Sequence, residues 1–243
     1  MSTTAGPPCR IAYVHFSDSN GLPQIYICNL EGADIGPLTG SQIGDALPVC
    51  EPALPGSGRE PRIAFLHPTR EASGIISPEE VGTPGSVYVV SSMGGEATKV
   101  SGSVPRILVV APSWSPDGKQ LAFAGAEDLN GDGKFTQDEI GIYVSELETG
   151  QAKRIATANV TGLRLSWSPA GLQLLMQVKK PDAPVPIAHV LDVQSGRWLF
   201  EGDPVAVITL ACWSPDGQHI AAYSMIDSKI HVARSDRSVE YSL

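Results

Sequence analysis

One short string recurs along this chain and constrains its fold more than any other feature. S-W-S-P-D-G runs from Ser113 to Gly118, S-W-S-P-A-G from Ser166 to Gly171 and C-W-S-P-D-G from Cys212 to Gly217. Three residues after each glycine comes an apolar triplet: Leu121-Ala122-Phe123, Leu174-Leu175-Met176 and Ile220-Ala221-Ala222. The same triplet occurs upstream as Ile11-Ala12-Tyr13 and Ile63-Ala64-Phe65. A second triplet follows each first one, at Ile25-Tyr26-Ile27, Val87-Tyr88-Val89, Ile142-Tyr143-Val144, Ala188-His189-Val190 and Ile230-His231-Val232. Short β-branched and aromatic runs between Gly, Pro and Asp turns are strand signals. The first triplets recur every 46 to 58 residues, which marks a repeat architecture.

Each unit therefore reads as strand a ending in Trp, an S-P-D-G turn, strand b, a loop, strand c, a turn and strand d. In the turn, Pro presets φ, Asp bonds back to nearby backbone donors, and Gly takes the left-handed conformation that closes a hairpin. The Trp fills the space between neighbouring units. Before Ile63 the turn is degenerate, Pro52-Ala53-Leu54-Pro55-Gly56, and places Leu54 at the Trp position. These strings resemble the WD-like Pro-Asp repeat of TolB-type β-propellers, over residues 10 to 243, with the fullest match in the third and fifth units. The resemblance implies an all-β propeller whose Pro-Asp residues are structural, and it brings no catalytic residues. As one domain over 1–243, its blades fall near 10–40, 41–104, 105–158, 159–204 and 205–243. The first recognisable strand is a b strand, and Ser238 to Leu243 fall where a last d strand belongs. Either the ring of five closes imperfectly or the chain is part of a propeller with roughly six to eight blades.

The distance from b triplet to c triplet within a unit is 14, 24, 21, 14 and 10 residues along the chain. The b–c loops thus carry much of the length variation, and they share one face with the d–a connections. Loops on a rigid scaffold are where binding concentrates. That face is expected to meet a protein or small ligand, with candidates Glu79 and Glu80 in the long His67–Gly85 loop and Lys179 and Lys180 in the Pro-rich segment ending at Pro186. The first loop reads either as a partner-contacting flap or as a plain surface insertion.

The third b–c loop differs in kind. Asp128-Leu129-Asn130-Gly131-Asp132-Gly133-Lys134-Phe135-Thr136-Gln137-Asp138-Glu139 fits D-x-[DN]-x-[DN]-G-x5-E in full. Asp128, Asn130 and Asp132 offer hard oxygens, Gly133 allows the reversal, the Lys134 carbonyl adds a ligand, Thr136 adds one directly or through water, and Glu139 is the bidentate closer. A chance match in a chain of this length is on the order of one in a thousand. The loop resembles an EF-hand calcium loop flanked by strands instead of helices. Ca²⁺ is the expected ion, held as a static structural element. Asp18-Ser19-Asn20-Gly21 starts the same way but lacks the later ligands and reads as a turn.

Other classes find no carrier. There is no G-x-S-x-G elbow, H-E-x-x-H pair or glycine-rich phosphate loop after a strand. His189 and His231 sit at the register held by Tyr26, Tyr88 and Tyr143, which assigns them a structural role. A net charge of −9 without a basic cluster opposes nucleic-acid binding. The longest apolar run, Val205 to Trp213, cannot span a bilayer. Met1 to Arg10 does not read as a signal peptide, which fits a cytoplasmic protein or one whose leader has been removed. Millimolar external calcium would fill a weak site and favours an extracytoplasmic setting. The cysteines Cys9, Cys28, Cys50 and Cys212 read as buried free thiols, with a Cys28–Cys50 bridge as the alternative. Two functions follow: a non-enzymatic calcium-binding scaffold, or the propeller domain of an enzyme (a prolyl-oligopeptidase-like peptidase or a lyase) whose catalytic part lies outside this chain.

Overall fold

The computed structural model describes residues 10–19, 21–33, 35–52, 58–69, 83–108, 110–158, 162–179, 187–201, 208–224, 227–235 and 240–242. The strands are β1 (Arg10–Phe16), β2 (Pro23–Asn29), β3 (Gly36–Pro37), β4 (Ala46–Cys50), β5 (Arg62–Pro68), β6 (Thr83–Ser91) and β7 (Thr98–Lys99). They continue as β8 (Arg106–Ile107), β9 (Ser113–Trp114), β10 (Gln120–Ala126), β11 (Ile140–Glu146), β12 (Gln151–Thr157) and β13 (Gly162–Trp167). The last are β14 (Gln173–Lys179), β15 (Ile187–Asp192), β16 (Trp198–Glu201), β17 (Ile208–Trp213), β18 (His219–Ser224), β19 (Lys229–Arg234) and β20 (Glu240–Ser242).

Antiparallel pairing groups these strands into successive blades. The first sheet has three strands, β1-β2-β3, with β1 at its edge. The last two are four-stranded, β13 to β16 and β17 to β20. Between them, β4 to β7 and β9 to β12 form two blades that the short β8 joins, because it pairs with both β6 and β10. Phe123 lies opposite Tyr143, Met176 opposite His189 and Ala222 opposite His231, so the two triplets of each unit pair in one repeated register.

Inner strands are apolar on both faces because each blade is covered by a neighbour on either side. Six of the seven residues of β10 are buried. Four apolar clusters fill the gaps between consecutive blades. Ile25 and Ile27 pack with Ile63, Phe65 and Val90. Ala64, Leu66 and Val87 pack with Trp114, Leu121 and Phe123. Ala122, Ile142 and Val144 pack with Trp167, Leu174 and Met176. Leu175, Ala188 and Val190 pack with Ile220 and Ala222. Among the described residues no such cluster joins the first blade to the last. The outer blades instead expose Ile11, Val14 and Phe16 at one end and Tyr223 and Ile230 at the other.

The Pro-Asp turns form as the residues require. Ser115 and Ser214 each accept the amide of the glycine three residues on, Gly118 (φ +66°) and Gly217 (φ +69°). Asp117 and Asp216 accept both the serine hydroxyl and a following amide. Both glycines also touch the preceding blade. A Cβ on Gly217 would lie 2.6 Å from the Ser168 hydroxyl, and one on Gly118 would overlap the Glu51 carboxylate. The three tryptophans of the recurring strings occupy equivalent positions, with Trp114 opposite Leu121, Trp167 opposite Leu174 and Trp213 opposite Ile220.

Two sequence expectations need correction. In the second blade the residue opposite Ile63 is Cys50, so Cys50 and not Leu54 holds the Trp position, while Leu54 lies outside the described residues. Glu51-Pro52 thereby replaces Ser-Pro. The Glu51 carboxylate, its side chain only 2% exposed, is bound by Arg59 and Arg62, and Arg62 also donates to the Gly118 carbonyl at 2.5 Å. The bond from Arg62 reaches from the second blade into the turn of the third. The cysteines are also not uniformly buried: Cys28, Cys50 and Cys212 are free thiols, and only Cys28 is buried. Cys9 lies outside the described residues.

Candidate functional site

The loop from Asp128 to Glu139 connects β10 to β11, so its flanks are strands, as its place in the repeat requires. It closes on itself through its own side chains. The Asp128 carboxylate accepts the amides of Gly131, Asp132 and Gly133, at 2.7, 3.1 and 2.9 Å. The Asn130 side-chain oxygen accepts the Asp132 amide at 2.9 Å, and Asp132 accepts that of Lys134 at 2.8 Å. The loop ends in a 3-10 turn, Gln137–Glu139. That turn brings the Glu139 carboxylate, the twelfth position, back to the start, where it accepts the Leu129 amide at 2.8 Å. Its other oxygen accepts the Thr136 amide at 3.0 Å.

These donors stabilise the charged form of Glu139. The Thr136 amide has the largest influence and, with those of Leu129 and Asn130, holds the carboxyl below the usual glutamate range against the opposing effect of burial. Two contacts tie the loop to the blade. The Arg106 guanidinium lies 4.5 Å above the Phe135 ring, and the Tyr143 hydroxyl donates to Glu127 at 2.8 Å. Burial, then the Glu127 carboxylate, push the Tyr143 phenol well above its ordinary range.

The donors that the structure gathers are therefore all oxygens, in one loop, with the twelfth position bonded to the amide of the second. Hard oxygens without Cys or His suit Ca²⁺. Among the described residues, however, no three Asp, Glu, His or Cys side chains converge as a ready-made metal cage. The physical reason is that Asp128, Asp132 and Glu139 are turned toward backbone amides of the loop. Ser17 to Leu22, the other acidic turn, is closed by bonds between Ser17 and Gly21 and Leu22.

Glu79, Glu80 and Lys180 lie outside the described residues, and Lys179 is the last residue of β14, opposite Gly162. No site can be built from them. Sequence reasoning missed a different pair on the same loop face. His67, at the end of β5, places Nδ1 2.7 Å from the Asp45 carboxylate. The available signal was register: His67 follows its triplet by the same interval as His15 follows the first.

No protein-family profile matches the chain. Among curated proteins, the Tol-Pal system protein TolB of Alcanivorax borkumensis is 28% identical over 72 residues, 30% of this chain and 15% of that protein. Among solved structures, TolB from Acinetobacter baumannii superposes with a TM-score of 0.60 at 20% identity, over 96% of this chain and 52% of that one. The fold is that of a TolB-like β-propeller. Enzymes share it. Oligogalacturonate lyase from Vibrio parahaemolyticus gives a TM-score of 0.59 at 13% identity, over 96% of this chain and 61% of that one. Puromycin hydrolase gives 0.63 at 13%, over 96% of this chain and 37% of that one. At these identities the likeness concerns the fold alone. The chain spans about half the length of the TolB structure it resembles. Among the described residues no helix is long and apolar enough to cross a membrane.

Proposed function

We propose that the chain is a non-enzymatic, calcium-binding propeller that presents its b–c loops to a protein or small-ligand partner in an extracytoplasmic compartment. The observation that carries this reading is the closure of the Asp128–Glu139 loop, in which Glu139 returns to the amide of Leu129. A twelve-residue loop with hard oxygens at its first, third, fifth and twelfth positions has the composition and contour of a calcium site. Asp128, Asn130, Asp132, Glu139, the Lys134 carbonyl and Thr136 would hold the ion, which would supply charge neutralisation and a rigid cross-link, with no chemistry of its own. The flanking strands β10 and β11 pair along seven residues, so the ion would stiffen the third blade without driving a conformational switch. A scaffold role is supported by the likeness to TolB, and an extracytoplasmic setting by the high external calcium that keeps a weak site filled.

The test is a pair of thermal melts, in chelator and in excess Ca²⁺, on wild type and Asp132→Ala. A ligand bound only by the native state stabilises it by mass action, about 2.7 kcal/mol at a hundredfold excess over Kd. Wild type should melt several degrees higher in calcium, and Asp132→Ala should show little difference. Equal wild-type melting temperatures in the two conditions would remove the ion from the proposal.

A further inference from the structure

The Asp45–His67 pair stands at a cleft between the first two blades. Ala46 pairs with Leu66, and a register shift before Val49 accompanies the left-handed backbone of Leu47 (φ 53°). This bend at the start of β4 brings Asp45 beside His67. The Asp45 side chain is 1% exposed and that of His67 is 29% exposed. The Asp45 amide is bonded at 2.7 Å to the Pro23 carbonyl of the first blade, which fixes the carboxylate at the junction. His67 rests edge-on against Tyr88 at 5.3 Å, and Tyr88 stacks on Phe65 at 6.0 Å. Beside them lies a cavity of about 300 Å³, lined by Leu38, Ser41, Asp45, Phe65, His67 and Tyr88 among others.

The first blade repeats the arrangement without the acid. His15 lies 4.6 Å from Tyr26 at the same register position, and among the described residues no carboxylate is bonded to it. The propeller scaffold thus accommodates a histidine on the strand-c tyrosine with no buried partner. Burying a carboxylate costs several kcal/mol before its partners offset it, so Asp45 is an expense that the repeat does not require. What Asp45 does change is the imidazole. A carboxylate can only accept, so Nδ1 carries the hydrogen and donates it, and in the neutral ring Nε2 is left as an acceptor.

We propose that this cleft binds a small aromatic molecule carrying a hydroxyl or N–H donor, with the ring against Phe65, Tyr88 and Leu38 and the donor on His67 Nε2. Apolar walls with a few convergent polar groups are the usual construction of a small-molecule site, and about 300 Å³ is the lower end of the usual size. Asp45 is a positioning residue that fixes the tautomer of His67. The site is separate from the calcium loop, and its failure would leave that loop untouched.

The experiment compares p-cresol with toluene, which differ only in the hydroxyl, by titration on the calcium-loaded chain. One hydrogen bond predicts that p-cresol binds about five- to tenfold tighter than toluene. His67→Phe should erase that advantage while retaining toluene, and His15→Phe should leave it intact. In wild type, at a pH where the ring is neutral, the His67 Nε2 resonance should shift on addition of p-cresol. That measurement decides the matter even where His67→Phe does not fold. Equal affinities for the two probes in wild type, the same loss in His15→Phe, or an unshifted His67 resonance would overturn the proposal.

Discussion

Tryptophans 114, 167 and 213 share a strand position but not a hydrogen bond. The Trp114 indole donates to the Val49 carbonyl at 2.9 Å and Trp213 to that of Ser166 at 3.0 Å. In each case the acceptor is the residue before the Trp position of the preceding blade. Trp167 keeps the position, buried to 5% exposure, but among the described residues its indole nitrogen has no partner, and its backbone amide bonds the Ser113 hydroxyl instead. The apolar burial of Trp114 and Trp167 is nearly equal, and Trp114 also lies 5.1 Å from the Arg62 guanidinium, so Trp→Phe compares the indole hydrogen bond together with that contact. Trp114→Phe should cost about 1 kcal/mol more than Trp167→Phe in denaturant unfolding, by loss of the bond and exposure of an unpaired carbonyl. Equal costs would mean that the indole bonds contribute nothing beyond packing. The recurring Trp was plain in the sequence because its neighbours repeat. Cys50 was not, since a thiol carries no signal for an inter-blade position that here depends on the pairing of β4 with β5.

At the scale of the element, the Pro-Asp turn couples the fold to pH. The Ser214 hydroxyl, the largest influence, and the Gln218 amide hold Asp216 below the ordinary aspartate range. At Asp117 burial acts in the opposite direction, and the Ser115 hydroxyl with the Lys119 amide still leaves the pKa lowered. A carboxyl depressed in the folded state contributes stability that is present above its unfolded pKa and lost as pH falls through the folded value. Melting temperature should therefore drop below about pH 4, and Asp216→Asn should be the less stable protein near neutrality while losing less on acidification. Parallel pH curves for the two proteins would show that the turn hydrogen bonds do not favour the ionised form. The turn chemistry was legible from four letters, because Pro, Asp and Gly each act locally. The serine's part, as donor to Asp216 and acceptor from the His219 amide, needed the folded hairpin.

Over the whole molecule, four inter-blade clusters hold five blades in sequence order, and the outer blades expose apolar side chains. Repeat spacing made this order readable, since each unit buries its faces only against its neighbours. The Asp128–Glu139 loop was legible as composition. Its geometry was not, because which way a carboxylate turns, toward an amide or an ion, depends on the folded loop. The Asp45–His67 pair was invisible because its members are 22 residues apart and meet only where β4 bends beside β5. Native-state hydrogen exchange in chelator and in calcium reads both the blades and the loop. Calcium should slow the amides of Leu129, Gly131, Asp132 and Gly133, with those of β10 and β11, and leave the other four blades unchanged. Exchange rates in the loop that are the same with and without calcium would mean that the loop holds no ion.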